Sequence, residues 1–200
     1  MCEFQDLTGS TISRPKPGDV AFTPASRGQG AEVSQDWHGR LVMMMTGYKE
    51  AADHLVQKTV DEPYQRNSLV YPILFNYRQF VELNLKYLIA SYGATVGIKA
   101  NWQSHDLGKL WGIFQTMEDA YAIEDHDHAN RAVAGIVGEF AKIDPKSFTF
   151  RYPVDRDGNL VPVTEDVLDL GRLKEVMAAV EGFFSGCDGY LDHLSTAVEN

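Results

Sequence analysis

Arg78, Glu82 and Lys86 stand at i, i+4 and i+8, a spacing that stacks their side chains along one face of a helix. Glutamate four residues before lysine is the favoured order for an ion pair. Such a row serves either as a solvated ladder of salt bridges or as a polar stripe facing a second element with polar groups of its own. Two segments offer such groups. His105-Asp106-Leu107 begins the third helical pattern, where unpaired backbone N–H groups attract an anion or a carboxylate. Its plainer role is in helix capping and packing. Arg151-Tyr152-Pro153 puts a guanidinium, able to grip phosphate or carboxylate in bidentate fashion, beside an aromatic ring able to stack on a base. Its plainer role is to bond backbone carbonyls and anchor a flap.

Other chemistries find little support. Glu124-Asp125-His126-Asp127-His128 invites a metal, but histidines two apart point to different sides of a helix, and no third ligand follows at a recognised spacing. A solvated helix start is the better reading. There is no GxSxG elbow, phosphate loop, dinucleotide glycine fingerprint or HExxH motif. Cys2 falls in a Gly/Pro/Ser-rich stretch and Cys187 on an apolar seam, so neither reads as a nucleophile. No metal and no cofactor is expected.

Charge narrows the choice of ligand. The 200 residues carry a net −10. Residues 1–117 hold eleven acids and eleven bases, whereas residues 118–200 hold seventeen acids and seven bases. The chain lacks the basic footprint of a protein that grips long duplexes through phosphates. Only the segment 63–117 leans positive, through Arg66, Arg78, Lys86, Lys99 and Lys109, and an anion should dock there. Two cysteines make no disulfide framework, which predicts a reducing, cytoplasmic setting. No apolar run approaches the roughly 20 residues of a membrane-spanning helix.

Hydrophobic spacing then supplies the scaffold. Steps of three and four predict helices over about 32–60, 69–92, 107–121, 127–142 and 165–194. Ser104 and Thr164 are the expected caps of the third and last helices. Glu62-Pro63 and Asp144-Pro145 end two others, and Gly93 stops the second. Gly182, Gly186 and Gly189 weaken the last helix or mark a break near 186. Residues 147–163 alternate and carry an Asp157-Gly158 turn signal, which predicts a short β-hairpin or flap on the edge, since Pro153 and Pro162 forbid a central strand. The fold class is all-α: an antiparallel four- to five-helix bundle with a hairpin-like insertion before the last helix. Residues 1–30 form an extended or mobile arm, and residues 31–200 one helical domain.

Three motifs in order carry a resemblance. Tyr71-Pro72-Ile73-Leu74 through Arg78, Glu82, Lys86 and Leu88 resembles the second helix of HEPN domains, with an acid, a lysine four positions on and an apolar pair. Ser104-His105-Asp106-Leu107, with Leu110, resembles the family's "tHdL..L" lead-in to the next helix. Phe150-Arg151-Tyr152-Pro153 is similar to its "RYP" element. The likeness spans about residues 40–194. It implies a homodimeric bundle concerned with nucleotides or RNA: a toxin ribonuclease, a phage-defence component, or the non-catalytic partner of a nucleotidyltransferase. Ribonuclease members carry an arginine followed by a histidine after four to six residues, and no arginine of this chain has one. The resemblance therefore implies a protein that binds a nucleotide or RNA with little or no catalysis, in a phage-defence or toxin–antitoxin setting, as a homodimer or beside an antitoxin or nucleotidyltransferase. Its alternatives are a metal-independent ribonuclease pairing His105 with Arg151, and a structural helical partner. Arg78, Glu82, Lys86, His105, Arg151 and Tyr152 are expected to gather as a ligand site, with Arg78 and Arg151 on the anion.

Overall fold

The computed structural model describes residues 14–125, 128–154, 157–161, 163 and 167–198. The chain divides into two units, Met1–Ser34 and Gln35–Asn200. From residue 14 the first unit contains turns only. In one of them Asp19 Oδ2 accepts from the Lys16 amide at 2.7 Å, and Gly18 takes φ +97°, a left-handed conformation that suits glycine.

The second unit is all-α. Its helices are α1 (Trp37–Asp61), α2 (Arg66–Tyr92), α3 (Leu107–Ala120), α4 (Ala129–Ile143) and α5 (Leu170–Val198), with 3₁₀ turns at Pro63–Gln65 and Gly93–Val96. α1, α3 and α5 all pack on α2, while α4 packs on α3 and α5. Buried side chains surround α2: Ile73, Tyr77, Phe80, Val81, Leu85, Leu88 and Ile89 all face neighbours. A helix apolar nearly all round belongs in the middle of a fold. None of the described helices is long and apolar enough to cross a membrane.

Aspartates set most helix starts. The expected start of α1 near residue 32 moves to Trp37 because Asp36 accepts from the Gly39 amide at 2.6 Å. α3 is capped by Asp106, whose Oδ1 accepts from the Lys109 amide at 3.0 Å, rather than by Ser104, which bonds the Asp106 amide. α4 is entered through Asp125, which accepts from the amides of Asn130 and Arg131. Asp169 accepts from the Arg172 amide at the start of α5, and Thr164 lies outside the described residues.

Gly93 is required by packing, since a Cβ there would sit 2.8 Å from the Ile98 carbonyl oxygen. α5 runs unbroken through Gly182, Gly186 and Gly189, so no hinge exists at 186. A Cβ on Gly189 would meet nothing within 4 Å. Gly189→Ala is therefore expected to raise stability by about 1 kcal/mol, read as a higher denaturant midpoint at unchanged slope.

The alternation at 147–152 does not make a strand. Asp144 Oδ1 accepts from the amides of Phe148 (2.5 Å) and Thr149 (3.0 Å), and Ser147 adopts φ +58°. The segment curls into consecutive turns that bury Phe150 and stack Phe148 on Tyr152 at 4.7 Å. An isolated antiparallel bridge, Val154 to Leu160, follows. Residues 155, 156 and 162 of the expected hairpin lie outside the described residues.

Candidate functional site

Because α2 is central, the row Arg78–Glu82–Lys86 is internal. The three side chains are 0–6% exposed, so the solvated ladder is corrected to a buried network. Glu82 is its hub. Oε2 takes Arg78 Nη1 at 2.6 Å, and Oε1 takes Lys86 Nζ at 2.8 Å and pairs with His105 Nδ1 at 2.9 Å. Arg78 spends its other donors on backbone: Nη2 on the His105 carbonyl (2.5 Å) and Nε on the Asp144 carbonyl (3.2 Å). The Asp144 carboxylate lies 3.1 Å from Nε, an ion-pair contact without hydrogen-bond alignment. Lys86 also donates to the Trp102 carbonyl at 3.1 Å.

Two cations and two carboxylates thus balance inside the protein, as burial demands. Burial alone would raise the Glu82 carboxyl, but the bonds from Lys86 and Arg78 outweigh it and hold it below the usual carboxylate range.

The same contacts correct the expected roles. Arg78, Glu82 and Lys86 have no solvent-facing donor or acceptor to offer a ligand, so a direct anion contact by Arg78 is ruled out while the network stands. They position His105 instead. The imidazole is the network's exposed end, with 56% of its side chain open. Glu82 fixes Nδ1, and no described residue bonds Nε2. His105 sits one residue before the Asp106 cap, and Lys109 rises from the same first turn with its ammonium in solvent.

Arg151 does not fold onto the stripe. Its Nε donates to the Ser147 carbonyl at 2.5 Å, and the guanidinium lies 5.7 Å from the Tyr152 ring centre. Both side chains are exposed. The two groups are nonetheless tied to one loop: Asp144 contacts Arg78, and the Ser147 hydroxyl accepts from Gln79 Nε2 at 2.7 Å. Sequence reasoning missed Asp144 as the counter-ion of Arg78, reading it only as a helix end. Its one sequence signal was an aspartate beside proline ahead of Ser147, Phe148 and Thr149, the composition of a side-chain-capped turn.

Elsewhere, His126 and Asp127 of the acidic–histidine run lie outside the described residues, and Asp125 is engaged in capping α4. Among the described residues no three His, Cys, Asp or Glu side chains stand together as a metal site. Burial pushes the Cys187 thiol up to about 12, which leaves it un-ionised and inert at neutral pH.

Comparison with family models, with curated proteins and with solved structures finds no match to this chain.

Proposed function

We propose that this chain is a HEPN-like protein that binds a nucleotide or an RNA end, with little or no catalytic activity. In this reading the helices form an antiparallel bundle with a hairpin-like insertion before α5. The protein is cytoplasmic and acts in a phage-defence or toxin–antitoxin setting, as a homodimer or beside an antitoxin or nucleotidyltransferase. The observation that carries the reading is His105, an exposed imidazole held by Nδ1 on a buried carboxylate that two buried cations hold in turn. Four residues ordered behind one exposed ring make a preorganised contact for a phosphate oxygen or a base edge. Arg151 and Tyr152 supply a guanidinium and a stacking ring on the loop that Asp144 links to Arg78.

The test is fluorescence anisotropy with a short end-labelled RNA and with a labelled nucleotide at low salt. His105→Ala and Arg151→Ala are each expected to weaken binding about tenfold (about 1.4 kcal/mol), read at a temperature where both variants stay folded, since each also gives up one hydrogen bond to the protein. Arg172→Ala, on the exposed face of α5, is the control and should bind as the parent does. Undiminished binding by both site variants would remove the reading.

One observation favours a second reading. A carboxylate on Nδ1 leaves Nε2 outward, the arrangement of an imidazole that moves a proton. In a metal-independent ribonuclease Nε2 would take the proton of an attacking ribose hydroxyl as its oxygen bonds to phosphorus. The bond from phosphorus to the next ribose would break with its oxygen protonated from water, and Arg151 would stabilise the charge growing on the phosphate. RNA cleavage that survives His105→Ala would exclude that role.

A further inference from the structure

Six charged side chains are buried among the described residues: Lys49, Arg78, Glu82, Lys86, Glu118 and Asp144. Five have an opposite charge within reach. Lys49 meets Asp53 and Glu181, and the other four form the network around Glu82. Glu118, 5% exposed, meets no cation among the described residues. Its Oε2 accepts from the neutral amide of Asn130 at 3.1 Å, and no described residue donates to Oε1.

A buried carboxyl with one neutral hydrogen bond is an incomplete arrangement. The carboxyl borders a cavity of about 430 Å³ that opens to the surface. Glu118 and Asn130 line one side of it, and the opposite wall is the face of α5 carrying Gly182, Phe183, Gly186 and Tyr190. That volume lies within the range of small-molecule sites. Added Cβ atoms on Gly182 and Gly186 would meet nothing within 4 Å, so the helix backbone is open to a flat or thin occupant. Asp125 also borders the cavity, and residues 118–200 carry the chain's entire negative excess. The missing charge is therefore positive. Apolar and aromatic walls beside a carboxylate suit an alkyl cation.

We propose that this cavity binds a compact organic cation, a primary ammonium or guanidinium group. Its N–H donors bond the open oxygen of Glu118, and its stem lies along the glycine-lined face of α5 between Phe183 and Tyr190. The site is separate from His105 and stands whether or not the chain binds RNA.

Titration calorimetry at pH 8 tests it with two probes, agmatine as a free amine and N-acetyl-arginine methylamide as a protein side chain. Saturable binding of either is expected, weakened at least tenfold by Glu118→Gln, which keeps its shape and its bond to Asn130, and equally by Gly186→Leu, which fills the cavity. Preference for agmatine marks a free amine as the natural occupant, and preference for the blocked arginine marks a protein partner. At neutral pH, binding should also expel a proton from Glu118, so the heat should vary with the ionisation enthalpy of the buffer. No saturable heat from either probe, or equal affinity in the parent and Glu118→Gln, would overturn the proposal.

Discussion

Glu82→Gln is expected to cost about 3–5 kcal/mol, the penalty for leaving buried charge unpaired. In a chain of this length that lowers Tm by on the order of 10 °C. The reason lies in how the hub is shared. Among the described residues Glu82 is the carboxylate that pairs with Lys86, so a neutral amide leaves an almost wholly buried ammonium with the Trp102 carbonyl only. An amide also offers a donor where the carboxylate accepted from Arg78, Lys86 and His105. One of those three must face an N–H group. Removing all four charges together, as Arg78→Met, Glu82→Leu, Lys86→Met and Asp144→Asn, is expected to cost less than Glu82→Gln alone, because no buried charge is left unpaired. Chemical denaturation of the two variants decides it; additive losses would mean the charges act independently.

The pH dependence follows with a definite sign. The folded carboxyl of Glu82 titrates below its unfolded value. Its contribution is present above the unfolded pKa of about 4.3 and is lost as pH falls through the lower folded value. The parent should therefore lose stability on acidification through this window, and Glu82→Gln should show that part of the slope flattened. His105 is also tied to this carboxylate, so binding by Glu82→Gln should weaken even at temperatures where the variant stays folded. That behaviour separates a positioning carboxylate from a merely structural one: Arg172→Ala changes neither, and a core truncation changes stability alone.

What could be read in advance was local. The helix spans emerged from three- and four-residue spacing because α1 to α5 each bury a continuous stripe. Helix starts shifted where an aspartate outcompeted the expected cap, as Asp106 did Ser104, since a carboxylate accepts an amide bond more strongly than a hydroxyl. The segment 147–152 alternated like a strand for another reason: Phe148 and Phe150 face different neighbours around a turn organised by Asp144. The row 78–82–86 was legible as a row but not as buried. The clue was that α2 carries apolar residues on nearly every side, leaving no polar face wide enough for solvent. The pairing of Arg78 with Asp144 joins positions 66 residues apart. Helical periodicity says nothing about which helix end meets which, so no local pattern could have supplied it. Glu118 stayed hidden likewise, because its surroundings come from helices distant in sequence, Asn130 of α4 and the α5 residues that share its cavity.

Glu118→Gln is expected to stabilise the protein increasingly as pH rises from about 4 towards 7, and to hold that advantage above neutral pH. Burial, with Asp125 and Asp119 nearby, pushes the Glu118 carboxyl up to about 7 despite the opposing bond from Asn130. A raised folded value means the contribution is fully present below the unfolded pKa of about 4.3 and is lost as pH rises through 7. The parent thus forfeits up to about 3 kcal/mol between pH 4 and pH 8 at this residue. Glutamine carries no charge at either pH and keeps the amide contact. The difference between variant and parent should be near zero at pH 4 and approach about 3 kcal/mol in the variant's favour at pH 8. Taking the difference cancels Glu82, which titrates at the acid end with the opposite sign in both proteins. Unfolding midpoints from pH 4 to 8 supply the curve, and a flat difference would mean Glu118 is solvated in the folded state. An added organic cation that fills the cavity should remove the alkaline loss from the parent and leave Glu118→Gln unchanged, which ties the stability of this region to the occupancy of its cavity.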